Sequence, residues 1–361
     1  MKIGIIGAGQ LGQMLALAGF PLALQFRFLD SSSESPGAQV APIVVGAFDD
    51  IAALRKLAGE VDVVTYEFEN VPVAALHEMA AARPCFPPVD ALRVSQDRIL
   101  EKELFGRLGI PTPPYRAVDT LADLEAGVAA LGLPCVLKTR RLGYDGRGQR
   151  VLKRRSDVGP AWEALGSVPL ILEGFVKFDR EVSIVGARSS RGETRCYPIV
   201  TNTHREGILR VTVAPTRDAR LQRAAEGHLH RVLDHFGYAG VLTIEFFVAG
   251  GRLIANEMAP RVHNSGHWTI EGAVTSQFEN HLRAILGLPL GDTSPVGHAA
   301  MVNYIGTMPD RDRVLALPGA HHHDYGKAPR ANRKLGHCTV VAPTAAQRDA
   351  VLRQLLRRIP R

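Results

Sequence analysis

The chain has 361 residues, which is too many for one hydrophobic core and predicts two or three domains. With 46% hydrophobic and 22% charged residues, the composition excludes a disordered chain and is typical of a globular enzyme. The net charge of +7 comes from lysines and arginines that are spread along the chain without interleaved aromatic residues. Small anionic substrates explain this charge as well as a nucleic acid does, and we expect no nucleic acid partner.

The four cysteines lie far apart and form no CxxC pair. This spacing argues against a disulfide framework or a zinc knuckle and predicts a reducing, cytoplasmic location. The first residues, MKIGIIGAG, form a very short apolar run that ends in glycines, so we interpret them as a buried strand and not as a secretory signal. No apolar stretch is long enough to span a bilayer, and no membrane partner is expected.

Residues 1 to about 100 alternate short β-branched runs with helical patterns, in the order strand, helix, strand, helix, strand. This rhythm predicts a parallel sheet with helices on its faces. A helix is predicted around residues 95–109, with Gly109 as the residue just past its end. The prolines that follow at positions 111, 113 and 114 mark the best domain boundary.

From residue 115 to about 290 the pattern is mixed, with a helix predicted from Leu221 to Phe236 before two strands. Residues 296–345 predict short strands. The last predicted helix, at residues 346–359, repeats apolar residues at helical spacing. We expect one apolar face made of Val351, Leu352, Leu355, Leu356 and Ile359.

The glycine loop at residues 7–12 matches GxGxxG after a strand, and Asp30 ends the next strand. This pattern is a dinucleotide fingerprint, in which the helix N-terminus would bind the pyrophosphate and Asp30 a ribose. It is equally compatible with a tight strand-to-helix turn that holds one phosphate or nothing. The motif alone does not decide between the two.

A second glycine-rich loop, residues 137–149, carries three glycines and three arginines directly after Lys138. Glycines allow backbone N–H groups to approach phosphate oxygens, and the cations neutralise them. The sequence GxxxxGK[ST] of a P-loop is absent. The alternative is a solvated basic hairpin without a ligand.

Two carboxylates lie on neighbouring predicted strands, Glu245 before and Glu257 after a turn at residues 249–251. In a hairpin they would project from one face and repel each other unless a cation lay between them. Oxygen ligands beside a polyphosphate suit Mg²⁺. Asn256 would point to the other face unless a bulge intervenes, and the alternative is a solvated charged face.

Directly after Glu257, the sequence PRVHNSGHW at residues 260–268 concentrates polar side chains. Arg261 offers a planar fork for a small oxyanion, and His263 and Asn264 add donors. Such a cluster beside a predicted metal carboxylate indicates a binding site for a small anion.

These motifs resemble, in the same order and over nearly the whole chain, those of N5-carboxyaminoimidazole ribonucleotide synthetases. The matching segments are residues 9–12, 66–72, 96–98, 143–149 and 256–268, of which PRVHNSGHW is the most specific. The resemblance implies α/β and α+β structure, with an ATP-grasp fold. It implies an N-terminal Rossmann-like parallel-sheet domain (1–102), an ATP-grasp domain (103–292) and a small C-terminal β-rich domain (293–361). It also argues against nicotinamide at the first glycine loop.

By the same resemblance, ATP would bind between the lobes of the ATP-grasp domain. Arg98 and Lys138 would neutralise its phosphates, Glu181 would take the ribose hydroxyls, and His204 would lie near the nucleotide. Glu245 and Glu257 would hold Mg²⁺, with Asn256 assisting. The flexible lid would comprise Gly143, Tyr144, Asp145, Gly146, Arg147, Gly148 and Gln149. The hinge whose backbone meets adenine would comprise Glu173, Gly174, Phe175 and Val176.

The implied reaction carboxylates aminoimidazole ribonucleotide with bicarbonate, at the expense of ATP, in purine synthesis. Arg261, His263 and Asn264 would position bicarbonate and protect carboxyphosphate from water. A homodimer is expected from the family. The candidate contacts of the ribonucleotide are Gln10, Leu11, Glu69, Asp145, Arg147, Lys327, Arg333 and Lys334.

Three features of the sequence depart from the family pattern. Leu142 and Asn332 stand where glycine is common, and residues 321–323 are a histidine run that we interpret as a surface loop without a metal. The rival functions are another ATP-grasp ligase, such as the formate-dependent glycinamide ribonucleotide transformylase, an NAD-dependent dehydrogenase, and a nucleotide-binding regulatory protein without turnover.

Overall fold

Four parallel strands in the order β3-β2-β1-β4 form the N-terminal part of the chain. The computed structural model describes residues 1–143, 146–166 and 168–360. The predicted alternation of strands and helices is confirmed. The strand β3 was not predicted, because three residues are too few to show a strand pattern. The strands are β1 (Lys2–Ile6), β2 (Gln25–Asp30), β3 (Ile43–Val45) and β4 (Val63–Tyr66), and the helices are α1 (Gln10–Gly19), α2 (Ile51–Glu60) and α3 (Val73–Ala82).

Two further helices, α4 (Val89–Ser95) and α5 (Arg98–Arg107), lead out of this sheet. Asp97 caps α5 by accepting a hydrogen bond from the backbone N–H of Ile99 at 3.0 Å. Gly109 follows the helix with a φ of +63°, a left-handed conformation that favours glycine. The predicted end of this helix is therefore confirmed.

An antiparallel sheet with the order β5-β8-β6-β7 follows. Its strands are β5 (Tyr115–Val118), β6 (Cys135–Thr139), β7 (Gln149–Leu152) and β8 (Leu170–Gly174), covered by α6 (Leu121–Leu131) and α7 (Val158–Leu165). Thr120 and Asp123 form a reciprocal capping box that fixes the start of α6.

The third sheet has nine strands, with the order β14-β13-β9-β11-β12-β15-β17-β16 and β10 beside β9. Its pairings are antiparallel, and it runs without interruption through the predicted boundary at residue 292, because β12 pairs with β15. The strands are β9 (Arg180–Arg188), β10 (Thr194–Cys196), β11 (Val200–Arg205), β12 (Ile208–Ala214), β13 (Gly240–Ala249), β14 (Arg252–Ala259), β15 (His298–Ile305), β16 (Ala320–Asp324) and β17 (Lys334–Ala342). The helices are α8 (Ala219–His235), α9 (Thr269–Gly272), α10 (Gln277–Ile285), α11 (Arg311–Leu315) and α12 (Ala345–Leu356).

Two expectations for the C-terminal part are wrong. The run of histidines at 321–323 is part of the edge strand β16 and not a surface loop, because β17 supplies its backbone partners. Leu356 is 45% exposed, while Val351 and Leu355 are buried. At 100° per residue Leu356 lies at the margin of the apolar face, beyond reach of the sheet. Among the described residues, no helix is long and apolar enough to cross a membrane.

Candidate active site

A cavity of about 700 Å³ lies among the N-terminal sheet, α5, the β13–β14 hairpin and the segment that precedes β17. Polar and charged side chains from all of these elements face it. It brings together many of the predicted site residues, namely Gln10, Leu11, Glu69, Arg98, Gly143, Arg147, Glu245, Glu257, Arg261, His263, Asn264, Lys327, Arg333 and Lys334.

The other predicted nucleotide residues lie outside this lining, on β6 to β9, β11, β14 and in the loops beside them. They are Lys138, Gly146, Gly148, Gln149, Glu173, Gly174, Phe175, Val176, Glu181, His204 and Asn256. Tyr144 and Asp145, predicted for the lid and the ribonucleotide, lie outside the described residues.

The first glycine loop already holds two carboxylates of the protein. The backbone N–H of Ala8 donates to Asp30 Oδ2 at 2.8 Å, and that of Gly9 donates to Glu67 Oε1 at 2.7 Å. A Cβ atom on Gly9 would lie 2.6 Å from Glu67 Oε1, so the glycine serves the approach of this carboxylate. Burial raises the pKa of Glu67. The backbone N–H groups that a pyrophosphate would need are occupied by these carboxylates. The GxGxxG sequence is therefore explained without a bound dinucleotide.

The carboxylate pair lies as the sequence predicts. Gly250 and Gly251, with φ of +53° and +70°, make a tight two-residue turn that places Glu245 directly opposite Glu257. Burial, with a contribution from the charge of Glu257, raises the pKa of Glu245 to about 7. Burial would also raise the pKa of Glu257, but Arg98, whose Nη1 is 3.2 Å from Glu257 Oε2, holds it below its usual range. The two carboxylates are thus poised to share a cation.

The register shifts by one residue between Glu245 and Phe246. This is the bulge on which the alternative placement of Asn256 depended. The side-chain Oδ1 of Asn256 is buried and has no hydrogen-bond partner among the described residues. Two carboxylates and one unpartnered amide oxygen are the hard oxygen ligands that suit Mg²⁺.

Three buried charges lie behind this pair. Glu173 Oε2 accepts from Lys138 Nζ at 2.8 Å, and Lys102 Nζ lies 3.8 Å from Glu173 Oε1. Burial would raise the pKa of Glu173, but Lys138 and Lys102 lower it to about 2. Lys102 was not among the predicted site residues, although it lies one helical turn after Arg98, on the same face of α5. Its Nζ donates to the backbone oxygen of Asn256 at 2.6 Å and so supports the bulge.

His204 and Glu181 form a second, half-buried pair, on the neighbouring strands β11 and β9. The ring Nδ1 of His204 bonds Glu181 Oε2. Burial would lower the pKa of His204, but the bond to Glu181 and the charge of Glu245 raise it. The two residues that the family resemblance assigns to the nucleotide therefore act as one unit with fixed orientation.

The segment after β14 presents donors to the cavity. Arg261 Nη2 lies 2.8 Å from Glu69 Oε1, which joins a predicted bicarbonate residue to a predicted ribonucleotide residue. Burial and the adjacent Arg261 charge lower the pKa of His263 well below its usual range, so the ring is neutral. Asn264 exchanges two amide hydrogen bonds with Asn303, at 3.1 and 2.7 Å, which fix its orientation. The three side chains thus lie together at the cavity, where planar and amide donors could bind a small oxyanion.

Cations converge on the opposite wall of the cavity. Lys327 Nζ donates to Gln10 Oε1, and burial lowers the pKa of Lys327 to about 8. Arg330, which was not among the predicted site residues, lines the same wall beside Arg333 and Lys334. Asn332 has a φ of +61°, a left-handed conformation that asparagine tolerates and glycine prefers. Its departure from the family pattern thus has a backbone reason.

Two arginines of the second glycine loop contact the residues that immediately precede α5. Arg140 Nη2 lies 2.7 Å from Asp97 Oδ2, and Arg141 Nη2 donates to Gln96 Oε1 at 2.6 Å. The role of the loop arginines toward phosphate stays a prediction, and these two side chains are also fixed by contacts within the protein. Gly146 has a φ of +75°, and a Cβ there would lie 2.2 Å from the backbone oxygen of Glu206. Leu142 has a φ of +61° and is 71% exposed, a strained conformation at a position where glycine is common.

Three family models match consecutive parts of the chain. They describe a ribonucleotide synthetase preATP-grasp domain at residues 1–96, an ATP-grasp domain at 103–278 and a phosphoribosylaminoimidazole carboxylase C-terminal domain at 299–351.

The chain is 54% identical over 340 residues to N5-carboxyaminoimidazole ribonucleotide synthase of Pseudomonas aeruginosa, with 94% of each chain covered. A crystal structure of the Thermus thermophilus synthetase superimposes with a TM-score of 0.95 at 52% identity and covers 99% of both chains. The Aspergillus clavatus synthase, in complex with ADP and 5-aminoimidazole ribonucleotide, gives a TM-score of 0.93 at 33% identity over 99% of this chain and 97% of that one.

Proposed function

The chain belongs to the N5-carboxyaminoimidazole ribonucleotide synthases, and from that premise we propose how its residues carry out the reaction. It is an ATP-dependent carbon–nitrogen ligase that carboxylates 5-aminoimidazole ribonucleotide with bicarbonate. One observation carries the residue roles: a single cavity is lined by the carboxylates Glu245 and Glu257, the donors Arg261, His263 and Asn264, and the cations that precede β17.

ATP takes its place beside the carboxylate pair. Arg98 and Lys138 lie next to Glu257 and Glu173 and would neutralise phosphate oxygens. The orphaned Oδ1 of Asn256, together with Glu245 and Glu257, would hold Mg²⁺, which offsets negative charge on the transferring phosphoryl group when it is bound. Glu181, fixed by His204, would accept hydrogen bonds from the ribose hydroxyls.

In the first step an oxygen of bicarbonate forms a bond to the γ-phosphorus while the bond from that phosphorus to ADP breaks. The products are carboxyphosphate and ADP, and one proton is released. Bicarbonate is a poor electrophile, so this activation is needed before any amine can attack its carbon. Arg261, His263 and Asn264 orient the anion for in-line attack and keep water away from the intermediate.

In the second step the amine nitrogen of the ribonucleotide bonds to the carboxyl carbon, and inorganic phosphate leaves with the oxygen that came from bicarbonate. The amine loses one proton, which the departing phosphate can accept. Lys327, Arg333 and Lys334 would bind the phosphate of the ribonucleotide, and Gln10 would hold Lys327 in place.

The experiment that tests this function measures ADP release with each component omitted in turn. We expect turnover only when ATP, Mg²⁺, bicarbonate and aminoimidazole ribonucleotide are all present. Turnover with glycinamide ribonucleotide and formate would keep the ATP site but change the acceptor. Turnover in the same assay would exclude a regulatory protein that only binds nucleotides. A dehydrogenase would instead have to bind NADH.

A homodimer and a cytoplasmic location stay predictions. The first is tested by sedimentation of the purified chain over a range of concentrations, where a monomer at all concentrations would contradict it. The second is tested by fractionation of cells that express the full chain.

A further inference from the structure

Two hydrogen-bond donors meet one nitrogen of the His263 ring. The backbone N–H of Ser265 points to Nδ1 at 3.3 Å, and the hydroxyl Oγ of Ser265 lies 2.9 Å from the same atom. A backbone N–H can only donate, so Nδ1 is an acceptor and carries no hydrogen. With no hydrogen on Nδ1, the ring hydrogen resides on Nε2, which lies 3.8 Å from Glu245 Oε1.

A buried series of hydrogen bonds between hydroxyls and an amide also orients the Ser265 hydroxyl as a donor to His263 Nδ1. Thr212 Oγ1 donates to Asn202 Oδ1 at 2.9 Å, and Asn202 Nδ2 donates to Ser183 Oγ at 3.0 Å. Ser183 Oγ in turn donates to Ser265 Oγ at 2.8 Å. The arrangement that uses every hydrogen therefore leaves the Ser265 hydroxyl to donate to His263 Nδ1.

The hydrogen bonds that run from Thr212 to Ser265 keep one direction because their side chains are buried. Ser183, Thr212 and Ser265 are fully buried, and Asn202 is 5% exposed. The first three members come from adjacent strands of the nine-stranded sheet, β12, β11 and β9, and the fourth lies just beyond β14. None of the four side chains ionises in the physiological range, so the direction of the chain does not change with pH.

We propose that Ser265 and Ser183 are positioning residues that lock His263 as the tautomer with its hydrogen on Nε2, so that the ring presents a donor to the cavity. This inference rests on the proposed role of His263 beside bicarbonate. With Arg261 and Asn264, the ring then completes a set of three donors around one oxyanion. His263 holds bicarbonate and the developing carboxyphosphate by donation, and it does not abstract a proton through Nε2.

The tautomer is measured directly by ¹⁵N NMR of the full-length protein labelled with [¹⁵N]histidine, where the His263 signals are assigned from their loss in His263→Gln. We expect a protonated Nε2 and an unprotonated Nδ1. A hydrogen on Nδ1 in the wild-type protein would overturn the proposal, and this outcome needs no variant to fold.

The Ser265→Ala variant removes the hydroxyl donor. The backbone N–H of residue 265 stays, but at 3.3 Å it is the longer of the two contacts to Nδ1. With this contact alone we expect a mixture of the two ring tautomers and a kcat about tenfold or more below that of the wild type. Ser265→Thr keeps a hydroxyl and should restore the single tautomer. Ser294→Ala, at an exposed serine that is not part of these hydrogen bonds, should change neither the tautomer nor kcat. A Ser265→Ala protein with an unchanged tautomer and unchanged kcat would refute the positioning role. If the wild-type tautomer is as expected but His263→Gln uses bicarbonate normally, the proposed function of His263 fails and the tautomer assignment stands.

Discussion

Glu245 and Glu257 stand directly opposite each other on β13 and β14, and a one-residue bulge follows immediately. Two carboxylates in this register repel each other unless a cation neutralises them, and of the two Arg98 reaches only Glu257. The pair therefore has the charge and the oxygen ligands for a cation that is not part of the chain.

The Glu257→Gln variant removes one of these charges but keeps the shape of the side chain. We expect kcat to fall by about 10² to 10³, because the phosphoryl group loses a charge-stabilising ligand at the transition state. The free energy of unfolding should stay close to that of the wild type. Steady-state ADP release measures the first quantity and urea unfolding the second, with Glu125→Gln on the exposed face of α6 as the matched control. Wild-type turnover in Glu257→Gln would remove this residue from the mechanism.

The Arg261→Ala variant tests the pocket for bicarbonate. We expect the KM of bicarbonate to rise about tenfold or more, because a charged fork that binds an oxyanion is lost, while the KM of ATP changes little. Arg261→Lys should recover only part of the loss, since an ammonium lacks the planar fork. Equal increases in both KM values would place Arg261 in a general structural role, linked through its contact with Glu69.

The pKa of Lys327, lowered to about 8 by burial, predicts a pH dependence for the ribonucleotide. Lys327 is charged below this pH and neutral above it, so its attraction for a phosphate is lost as the pH rises. We expect kcat/KM for aminoimidazole ribonucleotide, which reports the free enzyme, to fall above about pH 8. Lys327→Arg stays charged and should show no such decline. An identical decline in both proteins would assign it to another group.

Glu173 is predicted to be a major source of stability. Its removal in Glu173→Gln leaves Lys102 and Lys138 without their buried counter-ion, so the free energy of unfolding should fall by about 3 kcal/mol at neutral pH. The folded-state pKa of about 2 lies below the ordinary value of 4.5, so this contribution is present above pH 4.5 and is lost as the pH falls towards 2. Urea unfolding of wild type and variant at several pH values measures it, with the exposed Glu163→Gln as control. A constant difference across that pH range would contradict the assignment.

Much of this arrangement is encoded locally and could be predicted. The β13–β14 hairpin follows from two glycines between alternating strands, and the end of α5 follows from Gly109. The facing of Glu245 and Glu257 then follows from the two-residue period of a strand. Leu142 and Asn332 were recognised from the sequence only as residues that replace a common glycine. Their positive φ values show why glycine is common at these positions.

The remainder depends on contacts between distant parts of the chain. Glu67 fills the first glycine loop from the end of β4, and Lys102 reaches the bulge at Asn256 from α5. No spacing rule connects such residues, since each contact is set by how the sheets and helices pack. The same holds for β16, whose histidines are ordered by pairing with β17.

The most direct test of the account follows the atoms of bicarbonate. The enzyme is incubated with ATP, Mg²⁺, aminoimidazole ribonucleotide and bicarbonate that carries both ¹³C and ¹⁸O, and the products are analysed by NMR and mass spectrometry. We predict a ¹³C-carboxylated amine on the ribonucleotide and one ¹⁸O atom in the inorganic phosphate, since phosphate leaves with an oxygen of bicarbonate. Inorganic phosphate without ¹⁸O, or a ribonucleotide without ¹³C, would contradict the reaction that we assign to this site.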